Sequence, residues 1–180
     1  MEKREDRRIS MTKRMLKSAL TEMLKEMDIY NVSIRELCER ADVNRTTFYK
    51  HYRNQFDLLD EMENDLLHSI EKTIENVAES NGVFFVKLLV FLEENLEFVR
   101  LFFNANVDPD FPKKLFSLAV VIRSMEKGMK DVPRNELEYV NRFMLSGIYE
   151  MIHFWLNKED RESSEKMAAI IMERFRINLA

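Results

Sequence analysis

Apolar residues recur at helical spacing through most of the chain. Met11, Met15, Leu16, Ala19, Leu20, Met23, Leu24 and Met27 share one face of Ser10–Met27, which predicts an amphipathic helix ending at Asp28–Asn31. Ser33, with Glu36 three positions later, opens a brief helix whose Ile34, Leu37, Cys38 and Ala41 point inward. After an Asp42-Val43 turn, Asn44 caps a third short helix from Arg45 to about His51. Asn54 caps a long helix over 55–77, with Leu58, Leu59, Met62, Leu66, Ile70, Ile74 and Val77 on one side. Residues 83–103 are apolar nearly all round in their first half, so one helix inside the body is predicted there. Asn104–Pro112 reads as a loop with two prolines. Helices follow over about 113–130 and 134–157, and Ser163 or Ser164 caps a last one running to about Leu179.

Composition narrows the class to all-α. Three Gly and three Pro in 180 residues are too few to punctuate a β-sandwich or barrel. Thirteen Phe and twelve Met provide ample core and exclude disorder. No apolar run is long enough to span a bilayer. The opening MEKREDRRIS lacks the apolar segment of a secretory signal, and Cys38 stands alone, so no internal disulfide forms. The expectation is a cytoplasmic protein that does not engage membranes, with a head over 1–54 and a body over 55–180 connected by the long helix.

The net charge of −4 hides a split. Residues 1–53 carry 13 Lys/Arg against 9 Asp/Glu, whereas 54–180 carry 15 against 23. A basic head on an acidic body fits a nucleic-acid binder whose remainder is kept off the phosphates.

The second and third short helices, joined by a tight turn, make a helix-turn-helix pattern. Ile34, Leu37, Ala41, Val43 and Phe48 form its small core. The face of the third helix then presents Asn44, Arg45, Thr46, Thr47, Tyr49, Lys50 and His51: amide, hydroxyl, cation and aromatic groups suited to base edges, thymine methyls and phosphates. A purely structural helix gains little by exposing β-branched and aromatic residues there.

Residues 9–59, and above all VSIRELCERADVNRTTFYKHYRNQFDLL, resemble the DNA-binding head of the TetR/AcrR transcriptional regulators. The stretch GIYEMIHFWLNKEDRESSEKMAAII resembles the C-terminal region of a Gram-positive branch that includes the co-activator of dihydroxyacetone kinase genes. The resemblance implies that Arg45, Thr46 and Thr47 touch bases or nearby phosphates, and that Tyr49 and His51 bind phosphate. It also implies that the backbone at Ser33 and Ile34 meets another phosphate, and that Thr12 and Arg14 reach the flanking backbone. Two positions depart from the pattern. Asp42 replaces the usual turn Gly, which requires Asp to tolerate a positive φ. Gln55 replaces the usual Lys at the start of the fourth helix and is followed by Phe56 instead of an acid, weakening one phosphate contact.

The remaining chemistry is sparse. Cys38 among Leu37 and Ala41 reads as buried filler, and three scattered His with one Cys offer no metal-ligand spacing. No cofactor is expected. No G-x-S-x-G, Gly-rich phosphate loop, H-E-x-x-H or paired-acid constellation is present, so an enzyme is not expected. Phe98, Phe102, Phe116, Tyr139, Phe143 and Met144 are candidates to line an apolar effector pocket in the body. Met144, Gly147, Ile148, Met151, Ile152 and Trp155 form one stripe, and Met167, Ile170, Ile171, Arg174 and Phe175 a second. Together they predict a four-helix homodimer interface. The expected function is a sequence-specific regulator, a repressor, that binds a palindromic operator in double-stranded DNA as a homodimer. A small-molecule or protein effector would release it. The alternative is a protein-responsive co-activator without a small-molecule ligand.

Overall fold

The computed structural model describes residues 2–75, 81–103, 107–108, 110–116 and 132–174, the side chains of 2–6, 74–75, 81–82, 84, 112–113 and 116 aside. Among the described residues all regular structure is helical. The elements are α1 (Glu2–Leu24), a 3-10 turn (Ile29–Asn31), α2 (Ile34–Arg40), α3 (Arg45–Phe48), α4 (Gln55–Glu75), α5 (Asn81–Glu94), α6 (Leu96–Phe102), α7 (Phe111–Phe116), α8 (Leu137–Asn157) and α9 (Ser164–Arg174). No described helix is long and apolar enough to cross a membrane.

Several boundaries differ from the periodicity. α1 begins at Glu2 instead of Ser10, because residues 2–9 contain no Gly or Pro and are mostly strong helix formers. The apolar stretch 83–103 is two helices, α5 and α6. Asn95 breaks it: its backbone leaves helical geometry (φ −111°, ψ 25°) and its Nδ2 donates to Phe91 O at 2.8 Å. α7 starts at Phe111, ahead of the predicted 113, with Pro112 in the first turn, where a missing N–H costs little. α8 starts at Leu137 instead of Arg134. Ser163 caps α9, accepting from the Lys166 N–H at 3.3 Å. The predicted helical residues 117–130, Val77 and the run to Leu179 lie outside the described residues.

The chain divides into two compact units, Met1–Asp65 with Asn104–Pro109, and Leu66–Phe103 with Asp110–Ala180. The first extends past residue 54 because the start of α4 belongs to the core of the head. Leu58, Leu59 and Met62 are buried with Leu16, Leu20, Met23, Leu37 and Phe48. Polar bonds reinforce this: Lys13 and Lys17 of α1 both pair with Glu61 at 2.7 Å, and Lys17 also pairs with Asp65 at 2.6 Å.

In the second unit α9 packs on α5 and α8, and α6 on α8. Phe85, Leu88, Leu89, Leu92, Ile152, Trp155, Ala168 and Ile171 are buried there. Polar bonds fix the ends. Glu93, at the end of α5, accepts from Ser164 Oγ at 2.6 Å and Arg161 Nε at 3.2 Å. The Trp155 indole donates to Glu162 O at 2.7 Å, and Arg100 donates twice to Leu156 O near the C-terminus of α8.

Candidate nucleic-acid interface

The local sequence builds the helix-turn-helix step by step. Ser33 sits in extended conformation before α2, and its Oγ accepts from the Glu36 N–H at 3.5 Å. Leu37 and Cys38 turn inward. The chain then reverses at Asp42, whose φ of 51° makes it a left-handed residue, and the Val43 N–H closes the turn on Cys38 O at 3.0 Å. Asn44 Oδ1 accepts from the Thr46 N–H at 2.8 Å and starts α3. α3 is shorter than predicted. It is regular to Phe48, and Lys50 and His51 continue it as tighter turns bonded to Thr47 O and Phe48 O.

Phe48 is fully buried, and its ring meets Tyr49 edge-on at 5.4 Å and Tyr52 at 5.6 Å. With that residue anchored inward, Asn44, Arg45, Thr46, Tyr49 and Lys50 are exposed, while Thr47 and His51 are half-buried. Ser33 and Arg14 are exposed, and Ile34 and Thr12 half-buried. Cys38 is the inert filler expected. Burial pushes its thiol pKa up, opposed only by the charge of Arg45.

Ion pairing sorts the cations of the first unit. Lys13, Lys17, Lys25, Arg35, Arg40 and Arg53 are each paired with a carboxylate. Arg40 holds both Glu26 and Glu36, and Arg53 holds Asp57, whose carboxyl that contact keeps below its ordinary pKa. Among the described residues, Arg7, Arg8, Arg14, Arg45 and Lys50 make no such pair, so their charge is available to a ligand.

Both departures from the family pattern have structural consequences. Asp42 takes the positive φ that Gly would adopt freely. Gln55 turns toward its own chain, donating to Ile29 O at 3.5 Å, and Phe56 packs on Tyr30 with ring centres 5.3 Å apart. A position suited to a phosphate contact thus ties the 3-10 turn to α4. The sequence reading gave Tyr52 no role. It is buried four residues after Phe48, with the Lys13 ammonium 5.5 Å from its ring centre, and its helical spacing from Phe48 was the available signal. Burial, followed by the charge of Glu61, pushes its phenol well above the ordinary value.

The body residues fall differently from expectation. Phe102 and Met144 are buried, and Phe98 packs edge-on against Phe102 at 5.1 Å. Tyr139 and Phe143 are 77% and 74% exposed, so these two are not enclosed with the buried Phe102 and Met144. Ile148, Ile152, Trp155 and Ile171, expected to meet a second copy, are buried by the chain itself, while Gly147, Met151 and Ile170 are half-buried and Arg174 is exposed. The side chain of Phe116 and all of Phe175 lie outside the described residues. Tyr149, which was not among the pocket candidates, stacks between Phe103 and His153, with its hydroxyl 3.4 Å from Phe103 O. Among the described residues no group of His, Cys, Asp and Glu is placed to hold a metal ion.

Two family models match the chain. One, described as a transcriptional regulator C-terminal region, covers residues 83–176, and the other, bacterial regulatory proteins of the tetR family, covers 17–62. The chain is 21% identical over 166 residues to the HTH-type transcriptional regulator YxbF of Bacillus subtilis (strain 168). That match takes in 88% of this chain and 43% of the relative, so the chain spans less than half the length of that protein. Among solved structures, a TetR transcriptional regulator from Streptococcus agalactiae 2603V superposes with a TM-score of 0.76 at 24% identity, covering 97% of this chain and 99% of that one. The dihydroxyacetone kinase operon activator DhaS superposes with a TM-score of 0.59 at 19% identity, covering 93% and 96%. At these identities the two structures establish a shared fold.

Proposed function

This chain belongs to the tetR family of bacterial transcriptional regulators, a family that is not enzymatic, and we propose that it is a repressor. In this reading it binds a palindromic operator as a homodimer in the cytoplasm and leaves it when an effector occupies the body. The observation that carries the reading is the α3 surface. Phe48 anchors the helix inward, Asn44 caps its start, and Arg45, Thr46, Tyr49 and Lys50 face outward with both cations uncommitted. Thr46 and Thr47 suit base edges and thymine methyls. Tyr49, His51 and the N-terminus of α2 at Ser33 and Ile34 suit phosphates, as do Thr12 and Arg14.

One such head reads too few base pairs for useful specificity, and two α3 helices ~34 Å apart enter successive major grooves. Support for a second copy comes from α8. Tyr139, Phe143 and Phe154 fall on one side of that helix and are 77%, 74% and 72% exposed. These residues, in place of the buried Ile148, Ile152, Trp155 and Ile171, are the surface on which a partner body would dry out apolar area. An effector that releases DNA almost fully must favour the non-binding state by about 5 kcal/mol. Selection from random double-stranded DNA with the full chain tests the reading. A palindrome enriched by the native protein and lost by Thr47→Ala and Tyr49→Ala is expected. Equal enrichment by all three proteins would exclude α3 as the reading element.

A second reading, a co-activator answering to a protein, is favoured by the likeness to DhaS, named as an operon activator. Transcription from the selected operator separates the two: deleting a repressor raises it, and deleting a co-activator lowers it.

A further inference from the structure

We propose that Tyr30 and Phe56 form a docking face on the head for a basic segment of a partner protein, one that carries arginine or lysine beside apolar residues. The face uses no residue of α3 and is independent of the operator reading.

The pair is held rigidly. Ile29 and Val32 are buried and anchor the 3-10 turn, which leaves Tyr30 pointing outward at 78% exposure. The Asn31 N–H closes that turn on Asp28 O at 2.9 Å, and the Val32 N–H on Ile29 O at 3.2 Å. Ile29 O also accepts from Gln55 Nε2, so the turn is fastened to the first residue of α4. In α4, Leu58 and Leu59 take the buried side, and Phe56 stays 36% exposed. Its ring is tilted by 60° against that of Tyr30, with the centres 5.3 Å apart. Two aromatic rings fixed before a partner arrives lose little conformational freedom on binding. Such a pair of outward rings marks a contact surface better than a core.

The charges around the rings point to a cation. Residues 28–31 and 53–60 carry Asp28, Asp57 and Asp60 against Arg53 alone. Arg53 donates to both oxygens of Asp57, at 2.8 and 2.9 Å, so the edge remains acidic. Asp28 precedes the turn without spending its side chain on a cap bond. Asp60 is exposed and follows Phe56 by one helical turn on the same face. The negative face of an aromatic ring attracts a guanidinium or ammonium group, and a nearby carboxylate adds a charge-assisted bond. Apolar neighbours of that cation would cover Phe56. Duplex DNA fits these rings less well, because its phosphates would meet three carboxylates and a guanidinium already bound to one of them. A lipid surface also fits less well, since a bilayer-seated helix needs a wide apolar face and two rings are a narrow one.

The test uses the full chain and synthetic peptides that alternate leucine with arginine, citrulline or glutamate. Citrulline keeps the shape of arginine and removes its charge. Fluorescence anisotropy measures affinity, and amide hydrogen exchange locates the bound peptide. The arginine peptide should protect residues 29–31 and 55–58, and its affinity should fall about tenfold in Tyr30→Ser/Phe56→Ser. Asp28→Asn/Asp60→Asn should weaken binding and flatten its salt dependence. Tyr30→Phe/Phe56→Tyr should bind as the native protein does. The aspartate variant keeps both rings, so it decides the matter if the serine variant unfolds. Protection confined to the second unit, or equal binding by the native protein and both weakened variants, overturns the proposal. Equal affinity for the citrulline peptide overturns it as well. Loss of affinity for a random-sequence duplex in the serine variant, with peptide binding unchanged, assigns the rings to DNA and also overturns it. Operator selection with Thr47→Ala judges α3 separately, so either reading can fail alone.

Discussion

The Lys13 ammonium lies 2.7 Å from Glu61 Oε2 and 5.5 Å from the centre of the Tyr52 ring. One side chain of α1 thereby ties the chain just after α3 to α4. Lys17 doubles the tie through Glu61 and Asp65.

Glu61 sets the acid limb of stability. Partial burial pushes its pKa up, but bonds from Lys13 and Lys17 outweigh this and hold it below the ordinary 4.5. A carboxylate with a lowered folded pKa contributes stability above 4.5 that disappears as the pH falls through the folded value. Glu61→Gln should therefore lower stability near pH 7 by about 1 kcal/mol, solvent screening keeping the loss small, and the difference should shrink below pH 4. Urea midpoints at both pH values measure this.

Lys17 governs the alkaline side. Burial lowers its pKa, yet Asp65 and Glu61 together leave it above 10.5. Its contribution is present below 10.5 and is lost as the pH rises through the folded value, so Lys17→Met should converge with the native protein in strongly alkaline urea titrations.

The turn at Asp42 carries backbone strain. An L-residue in the left-handed region costs about 1–2 kcal/mol, least for Asp and Asn. Asp42→Gly should match or slightly exceed the native thermal midpoint, and Asp42→Val should depress it by several degrees. Similar midpoints for Gly and Val would mean that this φ does not control the turn.

Gln55→Lys should convert a brace back into a phosphate contact. Operator affinity should rise, with the salt slope steeper by about 1 per head, at a small stability cost from the lost bond to Ile29 O. Anisotropy titrations at two salt concentrations suffice to measure it.

The two faces of α8 should respond oppositely. Phe143→Ser with Phe154→Ser should leave the fold near its native stability and give a monomer in sedimentation. Ile152→Ala should cost about 2–5 kcal/mol of folding stability through the cavity it opens. Dimers surviving the paired Ser change would move the interface elsewhere.

Much of the head was legible from residue order alone. Ser33 and Asn44 mark helix starts because a short polar side chain satisfies a free backbone N–H wherever it precedes a helix. Phe48 and Leu37 declare the inward side by period, and the low Gly and Pro count dictates an all-α fold. These are local rules, requiring no knowledge of what lies across the core. Tertiary structure decided what periodicity cannot. The apolar stripe Ile148–Ile152–Trp155 looked ready for a second copy, yet those residues are buried within the chain, where α6 and α9 pack on α8. Tyr139, Phe143 and Phe154 were left outside instead. An amphipathic helix states that one face must be covered, but not by whom. Likewise, a list of lysines and arginines does not show which are spent on carboxylates. Only the folded arrangement of Glu22, Glu26, Glu36, Glu39, Asp57, Glu61 and Asp65 separates the cations paired with carboxylates from those that make no such pair.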